Sequence, residues 1–149
     1  MVTIHLPPDF REFFRWLNQH EVEYLLVGGY AVGYHGYPRA TMDIDVWIAP
    51  TTENAQRVVA ALESFGFGSE VLVPELFLQR DKIFRMGLPP MRIEILTSIS
   101  GVEFVDVYAE RIEDELDGVP VKLINLHYLK LNKKAAARAK DLADLEELP

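Results

Sequence analysis

The chain has 149 residues, no cysteine and a formal net charge of −8 at pH 7. One domain with a sizeable core, over 1–149, is the expectation at this length, and the missing cysteines exclude disulfides and thiolate metal sites. No apolar run approaches a membrane span and the start lacks a signal peptide's pattern, so a cytoplasmic protein without a membrane partner is expected; the acidic balance argues against general nucleic-acid affinity.

In chain order, Pro7-Pro8-Asp9 predicts a helix opening with Asp9 as N-cap. Phe10, Phe13, Phe14 and Leu17 recur at i, i+3, i+4, i+7 and form its core face. Glu23 to Val27 reads as a buried strand leading into the pair Gly28-Gly29, and Tyr30 to Gly36 as a short helix closed by Gly36. His35 has no ligand partner nearby in sequence and reads as a packed or surface histidine. A Gly-Gly turn leaves no Cβ between its N–H groups and a ligand, and free N–H groups at a helix start suit phosphate.

Asp43 and Asp45 follow, within the apolar run Ile44, Val46, Ile48. Period-two alternation puts both carboxylates on one face of a strand, where they repel and resist burial. A hard divalent cation bound through oxygen is the natural companion. Phosphate at the glycines and metal at the aspartates would be two halves of one nucleoside-triphosphate site; singly, a tight turn and a solvated edge strand explain them as well.

Thr51 or Thr52 caps a scaffold helix with Val58, Val59, Leu62 and Phe65 inward and Gly66 as its stop. Ser69 to Val73 reads as a short strand and Pro74 to Leu78 as a helical turn. Lys82 to Gly87 and Met91 to Leu96 read as strands joined by Leu88-Pro89-Pro90, and Val102 to Arg111 stays unassigned between strand and helix. Asp117-Gly118 marks a turn before a strand over Val119 to Ile124, and Asn125 caps one helical stretch running almost to the end. In an unbroken helix Lys130, Lys134, Arg138 and Asp141 share a face, with Lys133, Lys140 and Asp144 in the next row. A solvated, salt-bridged face is the plain alternative for that helix.

Apolar-Gly-Gly, thirteen intervening residues and Asp-apolar-Asp-apolar resembles the signature of the polymerase-β-type nucleotidyltransferase superfamily. Arg92-Ile93-Glu94-Ile95-Leu96 supplies the third carboxylate that signature needs, in Glu94. The likeness is closer to small bacterial and archaeal minimal nucleotidyltransferase-like proteins and AbiEii-type toxins, and it runs from Tyr24 to Leu148. It implies an α/β (α+β) fold, a mixed β-sheet with packed helices, with Glu94 beside the aspartate strand.

The resemblance further implies transfer of a nucleoside monophosphate from a triphosphate to a hydroxyl acceptor, with one or two Mg²⁺ ions on Asp43, Asp45 and Glu94. Gly28, Gly29, Arg39 and Thr41 would meet the nucleotide; for Arg39 a salt bridge to either aspartate is an equal alternative. The Lys…Arg-x-Lys-Asp-x-x-Asp tail resembles a segment of AbiEii-like relatives, which makes Lys134 and Arg138 nucleotide-facing. Relatives more often carry aspartate where Glu94 stands, so its metal role is the less secure. A toxin–antitoxin setting, a protein partner or homodimer, and acceptors as different as tRNA, protein and small molecules are all compatible. A non-catalytic nucleotide-binding or antitoxin-like partner and an RNA-binding module are the alternatives.

Overall fold

The computed structural model describes residues 4–38, 41–87 and 92–149. Six strands form one mixed sheet: β1 (Tyr24–Val27), β2 (Asp43–Ile48), β3 (Ile83–Met86), β4 (Arg92–Leu96), β5 (Ile112–Leu116) and β6 (Val119–Leu123). Their spatial order is β3-β4-β2-β1-β6-β5. β2 runs parallel to β4 and β1 parallel to β6, and the other neighbours are antiparallel. The expected α/β fold is therefore present.

Helix α1 (Pro8–Gln19) begins two residues earlier than expected, with Pro8 in its first turn and Pro7, not Asp9, at the cap position. Proline suits the first turn because its missing N–H would be unpaired there anyway, and Asp9 falls inside that turn, where its charge still favours the helix end. Phe10, Phe13, Phe14 and Leu17 are buried as the spacing requires. Helix α3 (Thr52–Phe65) is capped by Thr51, whose hydroxyl accepts from the Asn54 N–H, and stops at Gly66 with φ +102°. Together α1 and α3 cover one face of the sheet, over Tyr24, Leu26, Ile44, Val46, Ile48, Ile93 and Ile95.

The second face is covered by α2 (Gly28–Tyr34), α4 (Phe104–Ala109), α5 (Leu126–Ala136) and α6 (Ala139–Glu147). Leu25, Val27 and Trp47 pack there with Val32, Phe104, Val107, Leu129 and Leu148. Val102 to Arg111, left open from the sequence, contains α4, and the expected strand over Ser69 to Val73 is absent, being turn and irregular chain. Pro74–Phe77 is a short 3-10 turn, as its proline suggested. The Asp117-Gly118 turn joins β5 to β6 with both residues at positive φ, the conformation a two-residue hairpin needs. The Leu88-Pro89-Pro90 connection lies outside the described residues. Among those described, no helix is long and apolar enough to cross a membrane.

The single terminal helix does not hold. Ala137 adopts a left-handed conformation, φ 53° and ψ 22°, and ends α5; Arg138 then starts α6. No breaker residue marks that point. What fixes it is charge pairing across the bend: the Lys133 ammonium lies 3.2 Å from Asp141 and 3.1 Å from Asp144, all three side chains being at most 5% exposed. Asp141 also accepts the backbone N–H of Arg138 at 3.2 Å, which caps α6.

Candidate active site

The sheet register builds the site. Arg85 is paired with Glu94, Glu94 with Asp45, and Asp45 with Val27, one rung across four strands. Directly opposed residues share a face, so Arg85, Glu94 and Asp45 project together, with Gly28 following Val27 at the far end. The next rung sets Arg92 against Asp43. Asp43, Asp45 and Glu94 thus stand on one face, as the sequence pattern and the resemblance required. They floor a cleft of about 650 Å³, a size suited to a small-molecule site.

Asp45 is the most perturbed of the three. Burial, then a hydrogen bond to Glu94, then the charges of Glu94 and Asp43 push its pKa up to about 7, against an opposing pull from Lys140. Burial works to raise Glu94 as well, but the bonds from Asp45 and Arg85 outweigh it and leave its pKa lowered. The pair therefore behaves as one acid sharing a proton, with Asp45 the donor and Glu94 the acceptor.

Two guanidinium groups hold the outer carboxylates. Arg85 Nε donates to Glu94 at 3.0 Å, and Arg92 Nε lies 3.5 Å from Asp43. The three carboxylates do not stand as a closed ligand set: among the described residues no group of three acidic or histidine side chains is assembled for a metal ion. The donor chemistry nevertheless fits a hard cation, since carboxylate oxygen atoms from two adjacent strands line one cleft face, and burial with neighbouring negative charge disfavours the ionised form of Asp45.

The glycines have a packing reason of their own. A Cβ on Gly28, which has φ +70°, would lie 2.1 Å from Asp45 Oδ2, and one on Gly29 would lie 2.8 Å from the Thr41 hydroxyl. Both glycines belong to the first turn of α2, two residues before the expected helix start. They let the β1–α2 turn close on the aspartate strand, and both line the cleft with Thr41. Arg39 lies outside the described residues. His35 is a packed residue whose Nε2 contacts the Ile124 carbonyl at 2.8 Å, and burial lowers its pKa.

Helices α5 and α6 form the opposite wall. The bend at Ala137 changes which lysine faces inward: Lys133, Arg138 and Lys140 line the cleft, while Lys134 is exposed and does not. Lys134 and Arg138 would share a face only in a straight helix, so the pairing expected from sequence is corrected to Lys133 with Arg138. Arg138 grips Asp141 through Nε at 2.7 Å and Nη2 at 3.2 Å. Burial resists ionisation of Asp141, but Arg138 and Lys133 overcome it and lower its pKa. Gly101 seats α5, because a Cβ there would strike Ala135 Cβ at 2.4 Å.

Arg85 and Arg92 were not singled out from the sequence as site residues, and Lys140 was placed only in the second row of the terminal helix. The period-two relation of Arg92 to Glu94 was a signal available for one of them.

No family model matches the chain, and no curated protein matches it. Solved structures do. A candidate nucleotidyltransferase from Thermotoga maritima is similar with a TM-score of 0.59 at 15% identity, over 96% of this chain and 92% of that one. An antigenic nucleotidyltransferase-like protein from Paracoccidioides brasiliensis is similar with a TM-score of 0.54 at 16% identity, over 93% of this chain and 72% of that one. The chain has the fold of these nucleotidyltransferase-like proteins.

Proposed function

We propose that the protein transfers a nucleoside monophosphate from a nucleoside triphosphate to an acceptor hydroxyl. The observation that carries this reading is the placing of Asp45 opposite Glu94 on adjacent strands of the cleft floor, closed on one side by Gly28. Two carboxyls that share a proton in a site walled by cations are poised to give it up when positive charge arrives.

Asp43, Asp45 and Glu94 would hold a divalent cation such as Mg²⁺, which neutralises the triphosphate and the departing pyrophosphate. Gly28 and Gly29 leave room for phosphate beside Asp45. Lys140 and Arg138 add positive charge from the opposite wall; each already interacts electrostatically with Asp45. The acceptor oxygen attacks the α-phosphorus, the bond to pyrophosphate breaks, and the hydroxyl proton passes to Glu94 once Asp45 is ionised.

A second reading, a nucleotide-binding protein without catalysis, draws support from the ion pairs of Arg85 with Glu94 and Arg92 with Asp43. Thermal melting with Mg²⁺ and each nucleoside triphosphate, followed by a pyrophosphate-release assay with candidate acceptors, separates the two. Joint stabilisation with pyrophosphate release is expected. Joint stabilisation without release, over a broad acceptor panel, would leave the binding role; no joint stabilisation would sink both.

A further inference from the structure

Arg85 and Arg92 line the cleft on the side of β3 and β4, away from the glycine turn. The rung from Arg85 to Val27 crosses four strands, and adjacent strands lie about 4.8 Å apart, so the Arg85 backbone stands roughly 14 Å from the glycine turn, with its guanidinium group reaching back only as far as Glu94. The cations of α5 and α6 already face Asp45 from the other wall. Arg85 occupies the edge strand β3, beyond Glu94 and on the side away from the glycine turn.

Both guanidinium groups also have donors to spare. Arg85 spends Nε on Glu94, and its side chain is 56% exposed. Among the described residues Arg92 Nε is buried without a hydrogen-bond partner and forms a 3.5 Å ion pair with Asp43. If a divalent cation takes Asp43 and Glu94, both arginines lose their anionic partners. Unpaired guanidinium groups in a half-buried cleft are costly, and a planar fork of donors is best answered by a phosphate.

We propose that Arg85, supported by Arg92, is an acceptor-side phosphate site, so that the acceptor hydroxyl belongs to a molecule bearing a phosphate near it. This rests on the nucleotidyl-transfer reading for what the neighbouring carboxylates do. Phosphate selects the acceptor, Glu94 receives its proton, and the glycine turn keeps the donor at the far end of the rung. The phosphate is either that of a small phosphorylated molecule or a backbone phosphate of a nucleic acid.

Calorimetric titration tests it on the protein loaded with Mg²⁺ and a non-hydrolysable triphosphate. Two matched pairs serve as probes: ribose 5-phosphate against ribose, and a short oligoribonucleotide against its uncharged methylphosphonate counterpart. The charged member of at least one pair is expected to bind about tenfold tighter or more, and Arg85→Gln to cut that preference to about twofold or less, with triphosphate affinity unchanged. The pair that responds identifies the source of the phosphate. Equal binding within both pairs, or a preference that survives Arg85→Gln, overturns the proposal. So does a loss of triphosphate affinity in Arg85→Gln, which would return the residue to the donor side. If the wild-type protein fails to bind triphosphate with Mg²⁺, the nucleotidyl-transfer reading falls separately. The same pairs titrated on Glu94→Gln, in which Arg85 lacks its anionic partner, then decide the phosphate site by the same criteria.

Discussion

The two faces of the sheet are made by the same strands and do opposite things. In β2 the residues alternate Asp43, Ile44, Asp45, Val46, so each acid that enters the cleft has an apolar neighbour buried beneath it. The face under α1 and α3 is apolar on its four inner strands and fixes the backbone by burial alone. The opposite face is apolar only at its Leu25 and Trp47 end and gives its other end to charge. Charges crowded on one side of a strand are tolerable because the other side holds that strand in register. Stability and chemistry should therefore be separable by face.

The strongest check compares one large change on each side. Phe14→Ala, beneath the sheet and fully buried, is expected to lower stability by about 4 kcal/mol while leaving nucleotide binding intact at low temperature. Lys133→Ala is expected to lower it by about 3 kcal/mol, because Asp141 and Asp144 are left buried with too little positive charge. The second variant should also weaken triphosphate binding, since the bend that presents Arg138 and Lys140 depends on that ion cluster. Denaturant titration and calorimetry on both variants would break the comparison if Phe14→Ala damaged binding more than Lys133→Ala.

A middle-sized effect of opposite sign is expected at Asp45. Its carboxyl is raised in the folded state to about 7 from an ordinary 3.8, so the native state holds a proton the unfolded chain gives up. Its contribution is fully present below about pH 4 and is lost as pH rises through about 7. Asparagine cannot ionise and can donate permanently to Glu94. Asp45→Asn should then stabilise the metal-free protein by roughly 1–2 kcal/mol at pH 8, with the gain vanishing toward pH 4. Triphosphate binding with Mg²⁺ should be lost. Melting curves from pH 4 to 8 test the first part; a variant less stable than wild type at pH 8 would make Asp45 a structural residue.

What the sequence disclosed follows the same division. Period-two alternation in β2 needs no tertiary knowledge, and it put Asp43 and Asp45 on one face; Glu94 beside them came from the resemblance, not from spacing. Phe10 to Leu17 announced their helix equally plainly. Pairing between distant strands is set by the whole sheet, so nothing near Arg85 in the chain indicated that it lies against Glu94. Helix α4 hid because Val102 to Arg111 mixes apolar and acidic residues at neither period. The break at Ala137 hid for a different reason: an alanine-rich run continues a helix by propensity, and a buried lysine bonded to Asp141 and Asp144 overrules it. That one bend moved the inward-facing lysine by a single position.

The smallest effect tests that shift. Lys134 is exposed on α5, and Lys140 stands on the cleft wall with its charge felt at Asp45. Among the described residues neither side chain makes an ion pair or hydrogen bond, so each alanine variant should change stability by at most about 0.5 kcal/mol. Their effects on ligand should differ. A triphosphate carries more negative charge than a single Mg²⁺ neutralises, and a lysine facing the cleft relieves the remainder where water is partly excluded. Lys140→Ala should weaken triphosphate binding about tenfold, or 1.4 kcal/mol, and Lys134→Ala should leave it within about twofold. Calorimetric titration of the two variants at one ionic strength distinguishes them. Equal losses would mean that only the net charge of the terminal helices matters. A larger loss at Lys134 would mean that α5 and α6 join into the straight helix when nucleotide binds, with the bend as a resting form.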